Sequence, residues 1–265
     1  MALVNLDGTD VGYESTGSGA PAVCLVHGTG GTGGVWMRQL EGLADVARVV
    51  APDLPGHGRT GGPPPRSIAE SADFVARFLD ALGLDRVVIG GHSMGGAIAL
   101  QFALSRPERA AGLALIGTGA RLRVLPRLLE LLATAYPEGV DLLMGMALAA
   151  GAPAELRASL HRQTLANRPG VVLGDLQACD AFDALARLGE ITAPTLALCG
   201  AEDQLTPPKY ARFFGERIAG ARVVIAPGAG HYVQVEQPDA TTAALRDLVS
   251  AVAFAGAGRA APAVG

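Results

Sequence analysis

The chain is poor in charge, aromatics and cysteine, and it has no apolar run of membrane length. Only 17% of its 265 residues are charged while 49% are hydrophobic, which excludes an intrinsically disordered chain, since disorder needs the opposite balance. Lysine occurs once, at Lys209, no Lys/Arg run stands out, and the net charge is −4. That distribution argues against nucleic acid and against an anionic membrane as partners. Cys24, Cys179 and Cys199 show no C-x-x-C spacing, and the first and last of them sit inside apolar runs. Such thiols are usually small buried hydrophobes, so no disulfide framework is expected and a reducing cytoplasm is the expected setting. The opening Met-Ala-Leu-Val-Asn-Leu-Asp-Gly lacks the basic and apolar regions of a secretory signal. Later apolar stretches are broken by Gly, Pro or charge before the roughly 18–20 residues that a membrane span requires.

What is present is a rhythm of short β-branched runs and helical patterns, the signature of a parallel sheet covered by helices. Residues 3–7 and 11–15 flank a Gly-containing turn and predict a hairpin; 22–26, 48–51, 86–89 and 112–116 read as strands. Ser67-Ile-Ala-Glu70 reads as a capping box opening a helix that ends near Gly83, and 94–105 forms a helix stopped by Arg106-Pro107. The rhythm then breaks. Residues 121–189 read as four short helices punctuated by Pro126, Pro137, Pro153 and Pro169. It resumes with strands at 195–199 and 222–225 and helices at 207–218 and from 238 to about 254. The expected organisation is an α/β core over 1–120 and 190–256, a helical cap over 121–189 and a flexible tail over 257–265.

Gly91-His92-Ser93-Met94-Gly95 matches G-x-S-x-G between a strand and a helix, the context of a nucleophile elbow. Ser93 must then occupy a strained turn that presents its hydroxyl, and Gly91 and Gly95 leave that turn room. A serine hydroxyl needs a base. Of five histidines, His231 lies downstream of the serine in a Gly-Ala-Gly loop after the last strand, which fits the chain order Ser…Asp/Glu…His. His27, His57, His92 and His161 read as loop packing or surface.

Leu25-Val-His-Gly-Thr-Gly30, Asp53-Leu-Pro-Gly-His-Gly58, Gly91-His-Ser-Met-Gly95 and Gly228-Ala-Gly-His231 occur in order. Together they make the chain resemble the α/β-hydrolase superfamily, in its branch of esterases, lactonases and carbon–carbon bond hydrolases. The resemblance implies an α/β-hydrolase fold: a mostly parallel central sheet flanked by helices, with a helical cap insertion that shapes the pocket. It places the acid in Gly200-Ala-Glu-Asp203, as Asp203 with Glu202 as rival; the stretch 116–120 after the preceding strand, where some relatives carry it, has no carboxylate. Asp53 precedes the serine and reads as a loop residue. By position in His-Gly-x-Gly, the Thr29 amide forms an oxyanion hole with that of Met94.

The Gly-rich loop lacks the Gly-Lys-Ser/Thr ending of a P-loop, which argues against nucleotide. Candidates for substrate contact are Gly28, His92, Leu142, Met146 and Tyr232. Between 121 and 189 the aromatics are only Tyr136 and Phe182, which leans toward aliphatic acyl groups. Seven arginines there, at 121, 123, 127, 157, 162, 168 and 187, read mostly as solvated faces; one turned inward would clamp a carboxylate. Cys179 lies between Asp175, Asp180 and Asp183, which disfavours a thiolate, and the cluster lacks histidines for a metal. The expectation is a cofactor-free serine hydrolase of small to medium esters, monomeric or homodimeric, with a lactone or a dienoate carbon–carbon bond as the alternative substrate. A small-molecule receptor on the same scaffold would lack the need for three triad residue types in order.

Overall fold

The computed structural model describes residues 2–259. The strands are β1 (Ala2–Leu6), β2 (Thr9–Thr16), β3 (Ala22–Val26), β4 (Val49–Pro52), β5 (Val87–His92), β6 (Ala110–Ile116), β7 (Thr195–Gly200) and β8 (Arg222–Ala226). The helices are α1 (Met37–Leu43), α2 (Ile68–Ala81), α3 (Met94–Ser105), α4 (Pro126–Thr134), α5 (Tyr136–Ala147), α6 (Ala154–Leu165), α7 (Pro169–Ala181), α8 (Pro208–Arg217), α9 (Val233–Glu236) and α10 (Pro238–Arg259). The strands form one sheet in the order β1-β2-β4-β3-β5-β6-β7-β8. β1 and β2 pair antiparallel through the Asp7-Gly8 turn, whose two residues both have positive φ, as a hairpin turn of matching twist requires. β2 is antiparallel to β4, and every later pairing is parallel.

Side-chain alternation sorts the strands onto two faces. In β3, Cys24 and Val26 join one core cluster with Phe78 of α2, Phe102 of α3 and Phe214 of α8. Val23 and Leu25 point the other way, to Leu40 and Leu43 of α1 and Leu245 and Val249 of α10. Burying each such side chain is worth about 1.5–3 kcal/mol. Helix α3 is apolar almost all round because it is enclosed: every residue from Met94 to Leu104 except Gln101 is buried. Helices α4–α7 interrupt the sheet between β6 and β7 and hold an apolar cluster of their own, including Leu128, Leu132, Val140, Met144 and Leu176.

Three differences from the sequence reading have physical causes. Helix α1, preceded by a 3-10 turn over Gly33–Trp36, was not anticipated, because glycines at 33, 34 and 42 dilute a seven-residue pattern held by tertiary packing of Trp36, Leu40 and Leu43. The Ser67 cap is half a capping box: Ser67 Oγ accepts the Glu70 N–H at 3.1 Å, but the Glu70 carboxylate accepts the Arg66 N–H at 2.8 Å instead of that of Ser67. Helix α10 runs to Arg259, since alanines past Phe254 continue it; the tail expected over 257–265 is thus helical at 257–259, and 260–265 lie outside the described residues. Replacing the cap by Ser67→Ala will cost about 1 kcal/mol of stability, read as a lowered midpoint in chemical denaturation with an unchanged slope; no shift would show that Arg66 and Glu70 hold this end alone.

Candidate active site

Ser93 sits between β5 and α3 with φ 55° and ψ −117°. This is left-handed backbone for a non-glycine residue, worth about 1–3 kcal/mol of strain. Four bonds hold it: the Ser93 N–H donates to Ile116 O at 3.0 Å, and Ser93 O accepts the Thr118 hydroxyl at 2.7 Å and the Gly96 and Ala97 N–H groups at 2.9 and 3.2 Å. A Cβ at Gly91 would overlap the Gly95 carbonyl, and one at Gly95 would overlap the Val26 carbonyl of β3. The two glycines therefore admit different neighbours, the helix start in one case and the adjacent strand in the other. Helix α3 starts at Met94, so the Met94 N–H is one of the four that have no acceptor within the helix.

His231 follows β8 and is buried. Its Nδ1 lies 2.9 Å from Asp203 Oδ2, so that nitrogen carries the proton and Nε2 is left free. Asp203 follows β7 and is held from every side: Oδ1 accepts the Leu205 and Thr206 N–H groups at 2.9 and 2.8 Å, and Oδ2 accepts the Thr206 hydroxyl at 2.8 Å. Burial pushes the Asp203 pKa up, but the His231 charge and bond and the Thr206 donors outweigh it and hold the carboxyl below its usual range. Glu202 faces elsewhere, exposed, with its carboxylate on the Ala150 N–H at 3.3 Å.

The other histidines are fixed by hydrogen bonds, three of them to the backbone, and His57 and His92 do more than pack. His92 Nε2–H donates to His231 O at 2.9 Å, and burial, reinforced by the His231 charge, holds it well below the usual histidine range. It is a neutral strut under the His231 loop. His27 Nδ1–H donates to Gly28 O at 2.8 Å while Nε2 accepts the Leu54 N–H; burial and then the His57 charge push its pKa down to about 3. His57 pairs with the buried Asp175 of α7, a contact that sequence spacing does not announce because 118 positions separate them. His161 pairs with Asp141 on the surface. Asp53 holds the Gly33 and Arg59 N–H groups, as a loop residue should.

Ser93, His231 and Thr29 open onto one cavity of about 200 Å³. Its floor includes His92, Gln204, Thr206, Tyr210 and Tyr232; its walls come from the inserted helices through Leu128, Leu143, Met146, Leu176 and Cys179. Of the candidate contacts, His92, Met146 and Tyr232 line it and two do not. Gly28 is spent on packing, since a Cβ there would crowd His92 Nδ1 at 2.9 Å and Ser93 Cβ at 3.1 Å. Leu142 lies one residue off the Leu143/Met146 face of α5 and packs on the apolar cluster of the inserted helices. Arg123 lines the cavity, with its guanidinium on Asp180 O at 2.5 Å. The other six arginines take surface carboxylates or carbonyls away from it. Burial, then the Asp175 charge, keeps the Cys179 thiol protonated. Among the described residues no cluster suits a metal ion, and no helix is long and apolar enough to cross a membrane.

A strained serine at a strand–helix elbow, a His–Asp pair and an apolar cavity meeting at the carboxyl edge of a parallel sheet define a hydrolase of the α/β class. Residues 21–238 match the model of the alpha/beta hydrolase fold family, and the chain belongs to that family. It is 33% identical to a proposed carbamate hydrolase, RutD, of Azorhizobium caulinodans over 242 residues, covering 87% of this chain and 91% of the relative. It superposes on a thermophilic esterase with a TM-score of 0.86 at 35% identity, covering 95% and 97% of the two chains. The enol-lactonase of Burkholderia xenovorans LB400 gives 0.87 at 25% identity, with 94% and 100% covered.

The lowered Asp203 pKa stabilises the fold above the unfolded value of about 3.9, and that contribution is lost as pH falls through the lower folded value. Thermal midpoints of wild type and Asp203→Asn will therefore converge as pH drops below about 4; a gap that stays constant from pH 7 to pH 3 would contradict this assignment.

Proposed function

We propose that the protein is a serine hydrolase that cleaves carboxylic esters of small acyl groups. The observation that carries the reading is the shared cavity of Ser93 and His231, with Asp203 on the far nitrogen of the imidazole. Ser93 Oγ attacks the carbonyl carbon as His231 Nε2 takes its proton. Asp203 keeps Nδ1 protonated and stabilises the imidazolium. The Thr29 and Met94 N–H groups receive the oxyanion; in a low-dielectric site one such donor is worth about 10²–10³ in turnover. Collapse expels the alkoxide, which takes the proton from His231. Water then attacks the acyl-enzyme, one of its protons passing to His231, and the acid leaves as His231 returns that proton to Ser93 Oγ.

Helices α4–α7 act as the cap that closes this site. A cavity of about 200 Å³ is only slightly larger than one that holds benzene, at about 150 Å³, so short acyl chains fit best. Its aliphatic walls suit them. Arg123, the lining side chain with a fixed charge, supports a second reading on the same triad. It would meet the carboxylate of a lactone or dienoate substrate. The esterase, lactonase and carbamate hydrolase relatives all name substrates whose carbonyl would pass through an oxyanion. No cofactor enters either scheme, and the three free buried thiols suit a cytoplasmic protein.

On p-nitrophenyl esters of increasing chain length, turnover will peak at the short acyl chains and vanish in Ser93→Ala; turnover retained in that variant would remove Ser93 from the chemistry. Asp203→Asn will lower kcat by about 10⁴ through the wrong imidazole tautomer, while Glu202→Gln leaves it nearly unchanged. The reverse order would move the acid by one position.

A further inference from the structure

The loop carrying Thr29 is held on two sides by different parts of the molecule. On the core side, Gly28 O accepts the Gly31 N–H at 3.0 Å and His27 Nδ1–H at 2.8 Å. The C=O and N–H of a trans peptide point in opposite directions, so these bonds turn the Thr29 N–H away from the core. The next two peptides, on either side of Gly30, are held from the inserted helices. The Gly30 N–H donates to Asp175 Oδ2 of α7 at 3.1 Å, and Gly30 O accepts Asn167 Nδ2 at 2.8 Å. Gly30 has φ +62°, a conformation that its sequence alone does not fix. Asn167 is anchored in turn, donating to Gln163 O and Thr164 O at the end of α6.

Asp175 is itself seated. Its Oδ2 lies 2.9 Å from His57 Nε2, and the two side chains are 3% and 0% exposed. His57 Nδ1 faces Pro55 O at 3.2 Å, so both ring nitrogens meet acceptors, an arrangement that favours the protonated ring. Burial disfavours that charge, but the bond to Asp175 and its charge prevail, and the His57 pKa is raised. A buried ion pair is weak evidence of stabilisation in itself, whereas removing one partner is strongly disruptive. Here the shared oxygen also takes the Gly30 N–H.

We propose that His57, Asp175 and Asn167 are positioning residues through which the seated cap sets the Thr29 amide of the oxyanion hole. The inference rests on the serine hydrolase reading. It means that the docked cap does more than wall the cavity: undocking it releases both peptides that flank Gly30 and disorders a transition-state donor. An ester then binds without the oxyanion being held.

The test compares wild type, Asp175→Ala, Asp175→Asn and Asn167→Ala on one short p-nitrophenyl ester. Rates are normalised to sites titrated with a serine-directed phosphonate, which corrects for unfolded protein. A donor misplaced by about 1 Å costs on the order of 100-fold, so Asp175→Ala will lower kcat by roughly 10- to 100-fold with KM little changed, the signature of an interaction made in the transition state. Its affinity for a trifluoromethyl ketone, which presents an oxyanion, will fall in parallel. Asp175→Asn keeps an acceptor oxygen for Gly30 and His57 and will restore most of kcat. Asn167→Ala will repeat the pattern more weakly, and Asp141→Ala, which removes the exposed His161 pair of the same inserted helices, will change neither constant. Normalised kcat within about twofold of wild type in both alanine variants, or a loss carried by KM with ketone affinity unchanged, would overturn the proposal while leaving the triad standing. A wild-type enzyme inert to every ester and to the phosphonate would instead overturn the hydrolase reading on which it rests.

Discussion

The parallel pairing of β3 with β5 is the constraint on which the site depends. It sets Val26 beside Gly91, so the loop after β3 and the elbow after β5 leave the sheet side by side. The approach is tight enough that the first turn of α3 lies against the Val26 and His27 carbonyls, with only a glycine at 95 able to stand there. Two residues from distant parts of the sequence, Thr29 and Met94, are thereby brought together, with the Thr29 hydroxyl 4.0 Å from the Met94 sulfur. The neighbouring strands complete the set from the same edge: Ile116 at the end of β6 anchors the Ser93 N–H, β7 delivers Asp203, and β8 leads to His231. Ligands in open α/β sheets bind beyond the carboxyl ends of the strands, and the arrangement here follows that rule.

The inserted helices bring a second logic. Their own apolar cluster makes them a unit, and their contacts with the core are polar where they meet the glycine loop and apolar around the cavity. The polar contacts converge on Gly30, a residue with no side chain to read; the apolar ones, Leu143 and Met146 above all, size the space over Ser93. On the proposed reading, substrate selection and transition-state geometry are both drawn from one insertion, by different kinds of interaction.

The parts of the molecule that were legible in the sequence are those where local chemistry and pattern agree. The elbow needs small residues at 91 and 95 and a strand before a helix, and all of that is written within about twenty positions. The cavity-lining pair Leu143 and Met146 follows helical spacing, although Leu142, equally apolar, faces elsewhere because a single residue rotates the helix by about 100°. Gly28 shows a related effect: its smallness makes room for His92 and Ser93, which its own sequence neighbourhood does not announce. Helix α1 was invisible because tertiary burial of Trp36, Leu40 and Leu43, not propensity, makes it helical. The His57–Asp175 pair was illegible in principle, since nothing local to a Pro-Gly-His-Gly turn names a carboxylate 118 residues away. Between Asp203 and Glu202 the sequence left a choice that hydrogen-bond geometry now distinguishes, one buried on His231 and the other exposed on Ala150.

The central claim, that Ser93 carries the acyl group between two half-reactions, is tested most directly by trapping that intermediate. Wild-type protein mixed with a short-chain activated ester, quenched in acid within the first turnovers and digested, should show the acyl mass on the peptide containing Ser93. Acylation confined to another residue, or steady turnover with no acyl-enzyme and no burst, would contradict the account.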